Sequence, residues 1–143
     1  MLETGKRLES FFRDVESAGF GEGDPIGHQD YYKPMDLLFV YGTLRSEFQN
    51  PYARMLREKA EFIGCDSVRG AIFRVASYPG YRREPDGIVS GEVYRVDRAT
   101  LTALDEYEGP EFERVRIDRF WIYQYKEQPP ENARISSGDF CNP

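Results

Sequence analysis

Glu108 stands where a helix should bury apolar surface, in the stretch Leu101-Thr102-Ala103-Leu104-Asp105-Glu106-Tyr107-Glu108-Gly109. Asp97 is suited to cap a helix at its start and Gly109 to end one, so a helix of roughly three turns is predicted over 98–108. At about 100° per residue, Leu101 and Leu104 mark the buried face, and Glu108 falls between them. The segment also ends in Asp105, Glu106 and Glu108, at the negative pole of the macrodipole, where Lys or Arg is favoured. Partial burial, the dipole and the neighbouring acids all disfavour ionisation, so the pKa of Glu108 should be raised. A carboxyl tuned toward neutrality suits general acid/base work. The residues alone leave a second reading open, a side chain that only snorkels out of a frayed helix end.

A second segment bears on chemistry: Asp36-Leu37-Leu38-Phe39-Val40-Tyr41-Gly42-Thr43-Leu44-Arg45. Leu37 to Tyr41 is apolar and aromatic, which predicts a strand buried on both faces. It stops at Gly42, where the backbone can turn sharply or approach a ligand closely. Consecutive N–H groups in such a turn can face an anion. The segment lacks both the GK[ST] ending of a phosphate loop and the GxGxxG pattern. A buried strand followed by a plain turn fits it equally.

Taken together, Phe39-Val40-Tyr41-Gly42-Thr43-Leu44, Asn50-Pro51, Leu104-Asp105-x-x-Glu108-Gly109 and Ser137-Gly138-Asp139-Phe140 resemble the γ-glutamylcyclotransferase-like family. The resemblance is to its γ-glutamylamine cyclotransferase and AIG2-like branch, and it spans about Leu37 to Phe140. It implies that Tyr41, Gly42, Thr43 and Leu44 hold the α-carboxylate and α-amino end of a γ-glutamyl group, largely through main-chain atoms. It implies that Glu108 is the catalytic acid/base. The implied reaction is intramolecular aminolysis of a γ-glutamyl amine or peptide, releasing 5-oxoproline and a free amine without metal or cofactor. One departure is visible. Relatives often carry a Gly shortly after this string, where the chain has Ser46-Glu47-Phe48-Gln49, so Phe48 is a candidate for contact with the distal part of a substrate.

The rest of the chain narrows the chemistry. A five-membered ring closure begins with a high effective molarity, so one acid/base and donors for an oxyanion suffice. Turn amides near Gly42 are candidate donors. The single histidine, His28, lies in a Gly/Asp/Pro-rich stretch before the matched region and reads as a loop residue. Histidine-dependent triads and multi-His metal sites are thereby disfavoured. Cys65 and Cys141 make neither a disulfide framework nor a metal cluster and read as intracellular thiols.

The 143 residues suit one domain core with a short extension, and the formal net charge of −6 argues against a nucleic-acid partner. No stretch is apolar enough to span a membrane, and the N-terminus lacks the apolar region of a leader, so a cytoplasmic location is expected. A small-molecule γ-glutamyl substrate and a monomer or homodimer complete the expectation.

These candidates need elements to place them. Leu8, Phe11, Phe12 and Val15 predict an amphipathic helix over about 2–18, followed by a linker to Pro34. Residues 1–35 are thus read as an extension and 36–143 as the domain. Asn50 and Pro51 start a helix through about Glu58. Strands are predicted near 60–66, 69–75 and 88–95, with a turn at Ser77-Tyr78-Pro79-Gly80. After the helix at 98–108, Val115 to Tyr125 predicts β structure with a bulge or turn at Asp118-Arg119. Ile135 to Phe140 is read as a short edge strand.

The fold class expected is α+β, with a small mixed β-barrel-like sheet and short helices, as the resemblance implies, plus the helical extension. Such a barrel can hold one ligand at its mouth. Tyr78, Tyr94 and Tyr125 are candidate walls, and Arg114 a candidate ion-pair partner. Two other readings stay open: a non-catalytic binding or interaction module on the same fold, and a hydrolase pairing Glu108 with Asp105 or Glu111.

Overall fold

The computed structural model describes residues 35–143. The expected helix over 2–18, its linker and His28 lie outside the described residues. In chain order the elements are β1 (Met35–Val40), α1 (Pro51–Lys59), β2 (Glu61–Arg69), β3 (Ala71–Arg74), β4 (Pro79–Arg82), β5 (Ile88–Asp97), α2 (Arg98–Glu108), β6 (Phe112–Ile117) and β7 (Phe120–Tyr125). A short 3₁₀ turn follows at Glu131–Ala133. The α+β expectation is met by one mixed seven-stranded sheet curled into a half-barrel, with two helices.

β1 is the central strand, and both of its faces are buried. Leu37, Phe39 and Tyr41 enter one core with Ile72, Tyr81 and Val93, while Leu38, Val40 and Leu44 enter a second with Leu56, Leu101 and Leu104 of the helices. Alternation along a strand sends neighbouring side chains to opposite faces, so an unbroken apolar run serves two cores at once.

β7 sets the geometry of the site. β6 pairs with it antiparallel from Phe112↔Tyr125 to Ile117↔Phe120 and occupies one edge. Two strands share the other edge, both parallel to β7: β1 at Leu38↔Trp121 and β4 at Tyr81↔Gln124. The sheet therefore splits between the ends of β1 and β4. The Tyr41 hydroxyl fills the split, donating to the Tyr123 carbonyl at 2.6 Å and accepting from the Tyr81 N–H at 3.0 Å. It supplies the cross-strand bonds that the diverging backbones cannot make.

Three expectations change. The strands predicted near 60–66 and 69–75 are both present, but their boundary moves to Gly70, with β2 running on to Arg69 and β3 starting at Ala71. Pro79 and Gly80, read as a turn, open β4, and the turn lies before them, with Val75 N–H donating to the Tyr78 carbonyl at 3.1 Å. Proline is tolerated at the first residue of a strand. Gly80 is needed because an added Cβ would stand 2.8 Å from the Tyr125 Cβ. Ile135 to Phe140 forms no strand. A single bridge joins Arg134 to Phe73, and the chain then turns at Gly138, whose carbonyl accepts the Ser90 N–H at 2.8 Å. The expected break at Asp118-Arg119 is a two-residue turn between β6 and β7, with Asp118 at φ 57°.

Candidate active site

A cavity of about 320 Å³ opens where β1 ends, and its walls include Tyr41, Gly42, Thr43, Leu44 and Glu108. The loop after β1 and the end of α2, more than sixty residues apart in sequence, thus face one space. Tyr107 makes the junction, sharing a 2.8 Å hydrogen bond between its hydroxyl and Thr43 Oγ1.

Asp97 caps α2 by accepting the Thr100 N–H at 2.8 Å, and Leu101 and Leu104 are buried. Gly109 ends the helix at φ 84°, which L side chains avoid. Glu108, the last helical residue, lines the cavity. Its carboxyl makes no hydrogen bond or ion pair among the described residues. Burial, and then the charge of Asp105, push its pKa up to about 7. The raised value read from the sequence is met, with burial as the leading cause.

Asp105 has a different task. Its oxygens accept the Tyr123 hydroxyl at 2.6 Å and both Nε and Nη2 of Arg114, at 2.9 and 3.1 Å. Arg114 is therefore the structural ion-pair partner anticipated. With both Asp105 oxygens engaged, pairing it with Glu108 to flank a scissile bond has no support.

The loop at 42–49 is held from several sides. Asn50 Oδ1 accepts the Ala53 N–H at 2.8 Å and caps α1, while its Nδ2 donates to the Thr43 carbonyl, also at 2.8 Å. Gly42 packs so closely on Pro79 that an added Cβ would meet its ring at 2.8 Å. The turn is closed by Arg45 N–H donating to the Gly42 carbonyl at 3.0 Å. The Thr43 and Leu44 N–H groups meet no acceptor among the described residues. Free donors at a cavity wall can receive a carboxylate or a developing oxyanion.

Two anchors of the loop escape sequence reading. Arg45 is buried and bonds Glu47 at 3.0 Å and Asp139 at 2.9 Å, which fastens the loop to the late Ser-Gly-Asp turn. Glu92, in the middle of β5, is fully buried and accepts the Ser46 N–H at 2.7 Å and the Ser46 hydroxyl at 2.8 Å. Burial raises its pKa. An acid between Gly91 and the apolar pair Val93-Tyr94 is the sequence signal that could have found it.

The aromatic candidates separate. Tyr78 lines the cavity, joined there by Phe112, Tyr107 and Tyr123. Tyr94 instead packs on Phe62 and Tyr125 on Phe112. Phe48 stacks on Phe140 with centroids 5.9 Å apart, so it is a packing residue rather than a wall of this space. Among the described residues no cluster of His, Cys, Asp and Glu could hold a metal, and no helix is long and apolar enough to cross a membrane.

Comparison with known proteins gives the family and the fold. A model of the family described as gamma-glutamyl cyclotransferase, AIG2-like, matches residues 38–142. YtfP of Escherichia coli K12, named a gamma-glutamylcyclotransferase family protein, is 34% identical over 112 residues, covering 73% of this chain and 96% of its own. The crystal structure of PH0828 from Pyrococcus horikoshii is similar with a TM-score of 0.63 and 27% identity, over 75% of this chain and 91% of that one. A mouse AIG2-like protein shares the fold at a TM-score of 0.58 and 23% identity, over 68% of this chain and 81% of its own.

Proposed function

The chain belongs to the gamma-glutamyl cyclotransferase, AIG2-like family, and from that premise we propose that it is a cytoplasmic, cofactor-independent cyclotransferase releasing 5-oxoproline from a γ-glutamyl amide. The observation that carries this reading is Glu108, an unpaired carboxyl titrating near 7 on the wall that faces the Tyr41–Leu44 loop.

The substrate's γ-glutamyl end lies against the loop, with its α-carboxylate on the free N–H groups of Thr43 and Leu44. Folded there, its neutral α-amine reaches its own γ-carbonyl. A new C–N bond closes the five-membered ring, and Glu108 takes a proton from the attacking nitrogen. The amide C–N bond then breaks, and Glu108 returns that proton to the leaving nitrogen. A group with a pKa near the working pH serves both transfers. Confinement supplies much of the remaining acceleration.

Mass-spectrometric detection of 5-oxoproline after incubation with γ-glutamyl amines, γ-glutamyl amino acids and glutathione tests the reaction class. Product from any of them supports the reading. Absence of product from all, with binding retained, favours a non-catalytic binding module.

A further inference from the structure

A second cavity, of about 290 Å³, lies where the first turn of α2 meets β6 and β7. Its charge is opposite to that of the first, which Glu108 and Glu111 line. Three arginines line it, Arg98 from α2 and Arg114 and Arg116 from β6, against one acid, Asp36 of β1. Such a grouping stands out in a chain of formal net charge −6. Trp121 of β7 organises it. Trp121 is directly opposite Arg116 in the β6–β7 ladder, so the two side chains share a face of the sheet, as does Arg114 two residues back. The guanidinium carbons of Arg116 and Arg114 lie 4.2 and 4.5 Å from the centroid of the Trp121 ring. Stacking uses the flat face of a guanidinium and leaves the N–H groups at its edge free to donate. Asp36 holds the charge of Arg116 from 3.8 Å, beyond hydrogen-bond distance. Arg114 gives Nε and Nη2 to Asp105 and keeps Nη1. The Arg98 guanidinium has no acceptor among the described residues, and neither has Trp121 Nε1, which is shielded from solvent. Donors from α2, β6 and β7 thus surround one space that holds too few acceptors for them.

We propose that this cavity binds a phosphoryl dianion, either free phosphate or the phosphate monoester of a small metabolite. Stacking on Trp121 fixes two guanidiniums before the ligand arrives, so little side-chain freedom is lost on binding. A tetrahedral oxyanion offers acceptors in several directions and can engage donors carried on separate elements. A planar carboxylate is matched by a single guanidinium fork and leaves the other donors unused. A nucleic acid would need an extended basic face, which a chain of this net charge does not favour. The site is independent of the chemistry at Glu108, although Arg114 adjoins both, since the Asp105 that it holds lies three residues before Glu108.

Trp121 is the only tryptophan of the chain, so its fluorescence reports on this site. Inorganic phosphate and glycerol 3-phosphate, each titrated at constant ionic strength, should give a saturable change, with calorimetry returning the same dissociation constants. Tighter binding of the monoester would identify a phosphorylated metabolite as the occupant, and tighter binding of phosphate would identify the free ion; both support the site. Arg98→Ala and Arg116→Ala should each weaken binding by about tenfold, the scale of one charge-assisted hydrogen bond. Arg83→Ala removes the same charge from a different cavity and should bind as the wild type does. Phosphate should raise the thermal midpoint of the wild type by more than that of either site variant, which separates lost binding from lost folding. An equal response to acetate or chloride, or equal weakening by Arg83→Ala, would mean an adventitious ion only and overturn the site. So would the absence of binding by both fluorescence and calorimetry up to about 10 mM phosphate. None of these results touches the cyclotransferase reading, because no step of it uses Arg98 or Arg116.

Discussion

Asp105 accepts the Tyr123 hydroxyl at 2.6 Å and the Arg114 guanidinium at 2.9 Å, while Glu108, three residues on, has neither a donor nor a cation of its own among the described residues. The pair divides one turn of α2 between structure and chemistry. Asp105 is neutralised by Arg114, yet enough of its charge reaches Glu108 to add to the effect of burial. Environments that separate the behaviour of two nearby acids are how acid/base roles are assigned in enzyme sites.

The raised pKa fixes two pH dependences. As a base, Glu108 should give a kcat/KM that rises with pH through about 7. In the stability profile its sign is the reverse of that of an ion-paired carboxylate. The folded value lies above the unfolded value of about 4.3, so the folded state holds this proton more tightly. Its contribution is full below about 4.3 and is lost as pH rises through about 7. Urea denaturation at about pH 5 and about pH 8 should show a loss of stability in the wild type that is smaller in Glu108→Gln.

Asp105→Asn should move the acid limb of the pH–rate profile to lower pH. The substitution removes a negative neighbour and releases the positive charge of Arg114, and both changes favour ionised Glu108. The stability loss should be about 1 kcal/mol, since this ion pair is partly exposed. An unmoved limb would show that Asp105 does not act on Glu108.

Tyr41→Phe keeps the ring and removes the hydroxyl that bridges Tyr81 N–H and the Tyr123 carbonyl. Leaving buried backbone groups without that partner should cost about 2 kcal/mol in chemical denaturation. Activity should fall as well, because Tyr41 and Tyr123, joined at the split, both line the cavity.

Much of this site is legible in the sequence, for a physical reason. Glu108 breaks an amphipathic pattern that is local, and the Leu37–Tyr41 run is apolar on both parities, so neighbouring residues carry each signal. The split edge of β7 is not local, because it depends on which strands meet at Trp121 and Gln124. The bonds of Arg45 with Asp139 and of Ser46 with Glu92 join residues far apart in sequence, with no periodicity to announce them. Pro79-Gly80 misleads because turn propensity and close strand packing call for the same two residues.

Asn50 joins the two kinds of information, capping α1 and holding the Thr43 carbonyl. Asn50→Ala should cost about 1 kcal/mol through the lost cap. Asn50→Asp keeps the capping acceptor and loses the donor to Thr43. Thermal unfolding should therefore place it near the wild type, while kcat/KM falls. Equal losses of stability in both variants would deny the separate role in positioning the loop.

The most direct measurement compares wild type with Glu108→Gln for 5-oxoproline release from the best γ-glutamyl amide, with unfolding curves confirming that both are folded. The glutamine keeps the shape of the side chain and cannot carry the proton. A fall in kcat of about 10²-fold to 10⁴-fold in a variant that remains folded is expected, the range lost with a general acid/base. Equal product from both proteins would contradict the assignment of Glu108.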